Sequence, residues 1–292
     1  MAFEFSDRHI VEYHTQGYVV LRDLLPATLL TDLRRETDRG REIARRLGGG
    51  NAQRLQPVQE HLDPRPFAEL WGLPALHHAL TEILRGIEFS VEGDAVLYEP
   101  GESPYCMCWH RDFRDLSPGM DLAAWQASFH DLRLFNQTNV ALYDDACLWV
   151  VPGSHLRADT PDEIRRFPER PVPAPDFTGL TPEQAEYTAR DYAHSMPGAV
   201  QAPLNAGDFM VYRNTLWHLG SYVPYIKRAT VHGSIVTEAY RQYVLTQWLP
   251  YAKGELPRVW HNVNAGTPAY REGLWQRRAG QWAARLRRLA GA

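Results

Sequence analysis

The chain is poor in cysteine, has no long apolar run and carries no excess of positive charge. Three Cys in 292 residues cannot form a disulfide framework, and so sparse a set suits a reducing compartment. Cys106-x-Cys108 has no second Cys pair, which argues against a zinc site and for packing. No segment reaches the roughly 18 apolar residues of a membrane span. The opening Met1-Ala2-Phe3-Glu4-Phe5-Ser6-Asp7 lacks a basic region followed by an apolar stretch. A formal net charge of −4 offers nucleic acid no basic field. Gly48-Gly49-Gly50 follows a helix and precedes no Lys-Ser/Thr, so it is no phosphate loop. These absences lead us to expect a cytoplasmic protein, monomer or homodimer, with neither nucleic acid nor membrane as partner.

What is present is a sizeable core, with 44% hydrophobic and 11% aromatic residues. Helical patterns dominate the first third, from about residue 6 to 85. The strand Tyr18-Val19-Val20-Leu21 interrupts them, and Pro26 opens a long helix. From Ile87 the pattern becomes short strands between turns, which implies a sandwich or barrel core over about 87–250. Two irregular insertions, about 113–136 and 156–204, leave this core. The second is rich in Pro and charge with few apolar runs, so we expect a lid that cannot close by burial alone. A helical pattern returns at about 268–290. Taken together, residues 1–292 read as one mainly β domain with flanking helices.

The chemistry starts at His110-Arg111-Asp112, after the strand-like run Asp94-Ala95-Val96-Leu97-Tyr98 and a short loop. A histidine and a carboxylate two apart at a strand end can share one ion. A second histidine from a distant strand would complete a facial triad and leave three octahedral positions open, which suits non-haem Fe(II). A carboxylate at Asp112 also leaves no vacancy for halide. The motif alone is weak, because His-x-Asp is expected about once by chance in such a chain. A second copy, His61-Leu62-Asp63, precedes Pro64-Arg65-Pro66 with no strand leading in, and reads as surface structure.

Several pieces follow in order: Trp109-His110-Arg111-Asp112, Ala141-Leu142-Tyr143-Asp144-Asp145, Val151-Pro152-Gly153-Ser154-His155, Gly207-Asp208 before a strand, Trp217-His218, and Arg228. With Gly17-Tyr18-Val19-Val20-Leu21, this ordered set resembles the phytanoyl-CoA dioxygenase family over about residues 10–240. The resemblance implies a double-stranded β-helix (jelly-roll or cupin-like) and an enzyme that uses Fe(II), 2-oxoglutarate and O2. It implies His110, Asp112 and His218 as catalytic metal ligands, and Arg228 as the anchor of the far carboxylate of 2-oxoglutarate. Arginine fits that task through its bidentate fork. Strand alternation puts Arg228, Thr230, His232 and Ser234 on one face. Asn139, or Gln137 on the same face, is the expected polar co-substrate contact. Tyr98 flanks the iron or belongs to the core. His155 reads as structural.

Two departures concern the substrate and co-substrate contacts, not the triad: Arg111 stands where the family often has Gln, and the stretch from Asp112 to Asn139 is long. Trp109, Phe113, Arg114, Trp217 and His232 are the candidate contacts for a small-molecule substrate. Hydroxylation of an unactivated C–H is the expected reaction, with desaturation or cyclisation using the same triad. The rival readings are a non-catalytic β-helix binding protein and a cupin-type metalloenzyme without 2-oxoglutarate.

Overall fold

A computed structural model describes residues 3–115 and 121–248. The expected helix at about 268–290 lies outside them. Helix α1 (Asp7–Gln16) starts behind Ser6 and stops at Gly17, whose φ is 86°. A Cβ there would lie 2.5 Å from His155 Nδ1, so glycine serves both the left-handed turn and the close approach. Strand β1 (Tyr18–Leu21) follows. Helix α2 (Ala27–Gly48) buries Leu29, Leu33, Thr37, Gly40, Arg41 and Ala44, a stripe at helical spacing. Strand β2 (Arg54–Leu55), helix α3 (Pro64–Trp71) and helix α4 (Pro74–Ile83) complete the N-terminal layer. Asp63 of the second His-x-Asp caps α3 by accepting from the Arg65 backbone at 3.0 Å, as its loop context suggested.

The core holds β3 (Ser90–Tyr98), β4 (Tyr105–Cys106), β5 (Asn136–Ala141), β6 (Leu148–Val150), β7 (Val200–Gln201), β8 (Phe209–Arg213), β9 (His218–Tyr222) and β10 (Ala229–Val236). Between them run α5 (Leu122–Ala127), α6 (Pro161–Arg166) and α7 (Pro182–His194), and α8 (Glu238–Tyr243) follows β10. The larger sheet has the order β1-β8-β5-β10-β3-β2, the smaller β4-β9-β6-β7, and the pairings are antiparallel. Leu148 and Val150 of the small sheet pack with Ala141, Met210 and Tyr212 of the large one, so the two sheets face each other. The outer face of the large sheet carries Val96, Tyr98, Val140, Val211, Val231 and Ile235 under the N-terminal helices. This is a mostly antiparallel β fold with flanking helices.

The 156–204 stretch corrects an expectation. It buries Phe167, Val172, Ala189, Ala193 and Met196 in one cluster with Trp109, Trp149 and Trp217. Its apolar residues are few but helically spaced on α7, and they share the tryptophans of the wall behind the site. This burial, with the pairing of Asp159 to Arg111 and Arg114, holds it down.

His155 sits deep at the start of this stretch. Burial, and then the charge of Arg213, press its imidazole down to about 4 from an ordinary 6.5. Between those values the unfolded chain takes up a proton at His155 and the folded protein does not. Its contribution to stability is complete above the higher value and is lost as pH falls toward the lower one. We expect His155 to remove about 2 kcal/mol between pH 7 and pH 5. The measurement is urea unfolding across that range for wild type and His155→Gln. Parallel pH profiles would clear His155 of the effect.

Candidate active site

His110 and His218 form an antiparallel bridge, His110 N to His218 O at 3.1 Å and His218 N to His110 O at 3.0 Å. Directly opposed residues present their side chains on one face, and the two rings lie 4.1 Å apart. Asp112 is held two residues on by its own amide, which donates to Asn214 O at 2.9 Å. Nε2 of His110 is 3.5 Å from Asp112 Oδ1, and Nε2 of His218 is 3.9 Å from Asp112 Oδ2. The three ligand atoms lie within 4.8 Å of one another.

Each imidazole is oriented from behind. His110 Nδ1 meets Cys108 O at 2.8 Å and His218 Nδ1 meets Leu216 O at 2.8 Å. A carbonyl only accepts, so each Nδ1 carries the hydrogen and each Nε2 turns a lone pair inward. Burial, and then His110, hold His218 well below the ordinary histidine range, so it is neutral. Burial raises Asp112, against the charges of His110 and His232 and hydrogen bonds from Gln137 and Asn214. A carboxylate so desolvated calls for a cation. Two imidazole nitrogens and one carboxylate are a donor set that fits Fe(II).

The inner face of the large sheet continues from this cluster. Thr230, His232 and Ser234 pair across with Ala141, Asn139 and Gln137, in the strand parity that the sequence predicted. Gln137 Nε2 donates to Asp112 Oδ2, and Asn139 Oδ1 contacts His232 Nδ1 at 2.9 Å. Arg228 is buried, 4.1 Å over the Tyr222 ring. Its Nε and Nη2 donate to Asp145 Oδ2 at 3.0 and 2.7 Å, and Nη2 also reaches Thr230 Oγ1 at 2.9 Å. Burial opposes the charge on Asp145, but Arg228, Thr230 and Cys147 outweigh it and keep the carboxyl below its usual range. Arg228 Nη1 is buried without a hydrogen-bond partner. Nothing in the sequence pointed to Asp145 as the partner of Arg228.

Other expectations are corrected. Tyr98 faces the outer layer: Arg41 lies 5.1 Å over its ring, and a Cβ on Gly40 would meet its hydroxyl at 2.5 Å. It belongs to the core, because on β3 Ala95 and Leu97 hold the inward parity. Trp109 and Trp217 adjoin the ligands in sequence and therefore point to the opposite face, where both pack in the cluster with α7. Arg114 is already matched by Asp115 and Asp159, each at 2.8 Å. Phe113 packs with Phe135, Tyr240 and Tyr243 at 5.4 to 6.2 Å. Arg111 turns away from the triad to Arg157 O at 2.7 Å and Asp159 at 3.1 Å. Two other cations are engaged elsewhere: Arg213 donates to the carbonyls of Leu134 and Phe129, and Lys227 pairs with Asp38 at 2.9 Å. The sequence reading missed Asn214, Tyr212 and Asp159, none of which sits in a recognisable motif.

This fold and this site define a class, the oxygenases that work through a mononuclear metal. The chain belongs to the phytanoyl-CoA dioxygenase family, whose model matches residues 13–222. It is a non-haem dioxygenase that uses Fe(II), 2-oxoglutarate and O2. HygX from Streptomyces hygroscopicus, solved with nickel and 2-oxoglutarate, is similar in structure, with a TM-score of 0.56 and 16% identity over 80% of this chain and 88% of that one. AviO1 from Streptomyces viridochromogenes Tue57 gives 0.52 and 17%, over 80% and 95%. EctD from S. alaskensis, solved with 2-oxoglutarate and 5-hydroxyectoine, gives 0.51 and 18%, over 80% and 77%. At such identities the likeness is one of fold. No curated protein matches the sequence. Among the described residues, no helix is long and apolar enough to cross a membrane.

The packing of 156–204 has a direct consequence. Limited proteolysis of the metal-free protein should spare α6 and α7, with added Fe(II) and 2-oxoglutarate changing little there. First cuts within 160–196 that ligands suppress would restore a mobile lid.

Proposed function

We propose that the chain is one oxygenase domain on a double-stranded β-helix, hydroxylating, desaturating or cyclising a small molecule while 2-oxoglutarate and O2 become succinate and CO2. The observation that carries this is the convergence of His110, Asp112 and His218, with donor atoms within 4.8 Å and both Nε2 lone pairs facing in. These three hold the iron. When bound, the metal supplies the oxygen chemistry that side chains alone lack. The protein's share is orientation: Cys108 O and Leu216 O aim the imidazoles, and Gln137 and Asn214 aim the carboxylate. His110→Ala or Asp112→Ala should abolish iron binding and succinate release together. Full activity in either variant would end the assignment.

Arg228 receives the far carboxylate of 2-oxoglutarate, while Thr230, whose hydroxyl donates to Asp145, steadies that ion pair. The supporting observation is the buried, unpartnered Nη1 of Arg228, a donor left over after Asp145 has taken the other two. His232 and Asn139 line the inner face between this anchor and the metal ligands, where co-substrate and substrate meet. Arg228→Ala is a poor test, because it strands the buried Asp145 carboxylate at about 3–5 kcal/mol. Arg228→Lys keeps a charge beside Asp145 and removes the fork. We expect it to raise the KM for 2-oxoglutarate about tenfold, a little over 1 kcal/mol, with Fe(II) binding retained. An unchanged KM would move the anchor elsewhere.

A further inference from the structure

Arg228 already has a carboxylate beside it. Asp145 Oδ2 takes hydrogens from Arg228 Nε at 3.0 Å, Arg228 Nη2 at 2.7 Å and Thr230 Oγ1 at 2.5 Å. Asp145 Oδ1 accepts from the Cys147 amide at 2.8 Å. Its backbone is fixed as firmly, since Asp145 N donates to Leu204 O at 2.8 Å and Leu204 N to Asp145 O at 2.7 Å. Both Arg228 and Asp145 are buried. A carboxylate held at both oxygens, on a backbone held at both its amide and its carbonyl, stays in place when a ligand arrives.

Elementary electrostatics then acts twice. In the empty protein, a guanidinium taken out of water is strongly unfavourable unless a charge matches it, and Asp145 is that charge. In the loaded protein, the far carboxylate of 2-oxoglutarate meets an ion pair instead of a bare cation. Nη1 still offers it hydrogens. Asp145 repels it across the same planar group, with little water to screen the two charges. Arg41, which donates to the Arg228 carbonyl, is itself matched by Asp38 and Glu99.

We propose that Asp145 is a positioning residue that acts through Arg228, an internal counter-ion that keeps the empty anchor stable and sets a ceiling on the affinity for the far carboxylate. This rests on the reading of Arg228 as the anchor. The consequence lies in turnover. Succinate keeps the same far carboxylate, so an unmatched Arg228 would hold the product as tightly as the co-substrate. With Asp145 in place, the site recognises that carboxylate and still releases it.

Calorimetric titration of the full-length protein loaded with Ni(II) tests this, with 2-oxoglutarate compared to 2-oxopentanoate. The second compound has the same chelating end and a methyl where the far carboxylate stands. The ratio of the two affinities therefore reads that carboxylate alone. Wild type should prefer 2-oxoglutarate by between about three- and thirtyfold. A larger ratio overturns the proposal, because it shows an anchor that Asp145 does not blunt. Asp145→Asn keeps the size and removes the charge. It should raise the ratio about tenfold, while the ligand-free protein unfolds at a lower temperature because Arg228 is left unmatched. A merely structural role would weaken both ligands alike, and an unchanged or smaller ratio in the folded variant overturns the proposal. If the variant does not fold, the wild-type ratio still decides. The anchor reading fails separately. A wild-type ratio near one, or a ratio that Arg228→Lys leaves untouched, puts the far carboxylate elsewhere.

Discussion

Two backbone hydrogen bonds between His110 and His218 carry the rest of the site. They join segments more than a hundred residues apart in the chain. A doubly bonded antiparallel pair cannot slip by one residue without sending both side chains to the other face. Ligand spacing is therefore a property of the sheet register, present before any ion arrives. The same parity sends Trp109 and Trp217 outward, where they become the apolar wall that α7 covers. One pairing thus settles both what faces the candidate site and what supports it.

Charge is handled in the same manner at the far end. Arg228 is gripped at three points. Its amide donates to Glu99 at 2.8 Å, its carbonyl accepts from Arg41 at 2.9 Å, and its side chain pairs with Asp145. Arg41 in turn meets Glu99 at 2.8 Å. Such buried ion pairs are weak evidence of stability, because desolvation cancels much of the attraction. Their effect here is placement. A long, flexible cation is reduced to one orientation with a single nitrogen, Nη1, left without a partner.

The His110–Asp112–His218 cluster and the polar face of β10 were legible because both rest on short-range order. His110 and Asp112 follow a strand-like run, and the Arg228–Thr230–His232 face is simple parity. Tyr98 shows where this stops. The strand was readable, but its inward parity is set by how closely α2 approaches at Gly40, a long-range fact. Trp109 and Trp217 were misplaced because nearness in sequence was taken for nearness to the reaction, whereas adjacent strand residues face apart. Tyr212 had no local signature at all. Its meaning comes from partners on β5 that the chain reaches only by folding. In the 156–204 stretch the buried alanines of α7 were hidden among charges, and small residues on one helix face leave a faint hydropathy signal.

That stretch is also tied at both ends. Where it leaves, Trp217 N donates to Ser154 Oγ at 2.9 Å and Gly153 N to Gln16 O at 2.8 Å. Where it returns, Leu204 forms a backbone bridge with Asp145, the residue that also pairs with Arg228. Chain length between fixed posts can change without moving the posts. The region between them is therefore an exchangeable cassette, a place where a different insert could be grafted onto the same catalytic frame. The graft must keep two conditions: apolar cover for Trp109, Trp149 and Trp217, and a carboxylate in the place of Asp159, since Arg111 and Arg114 both lean on it.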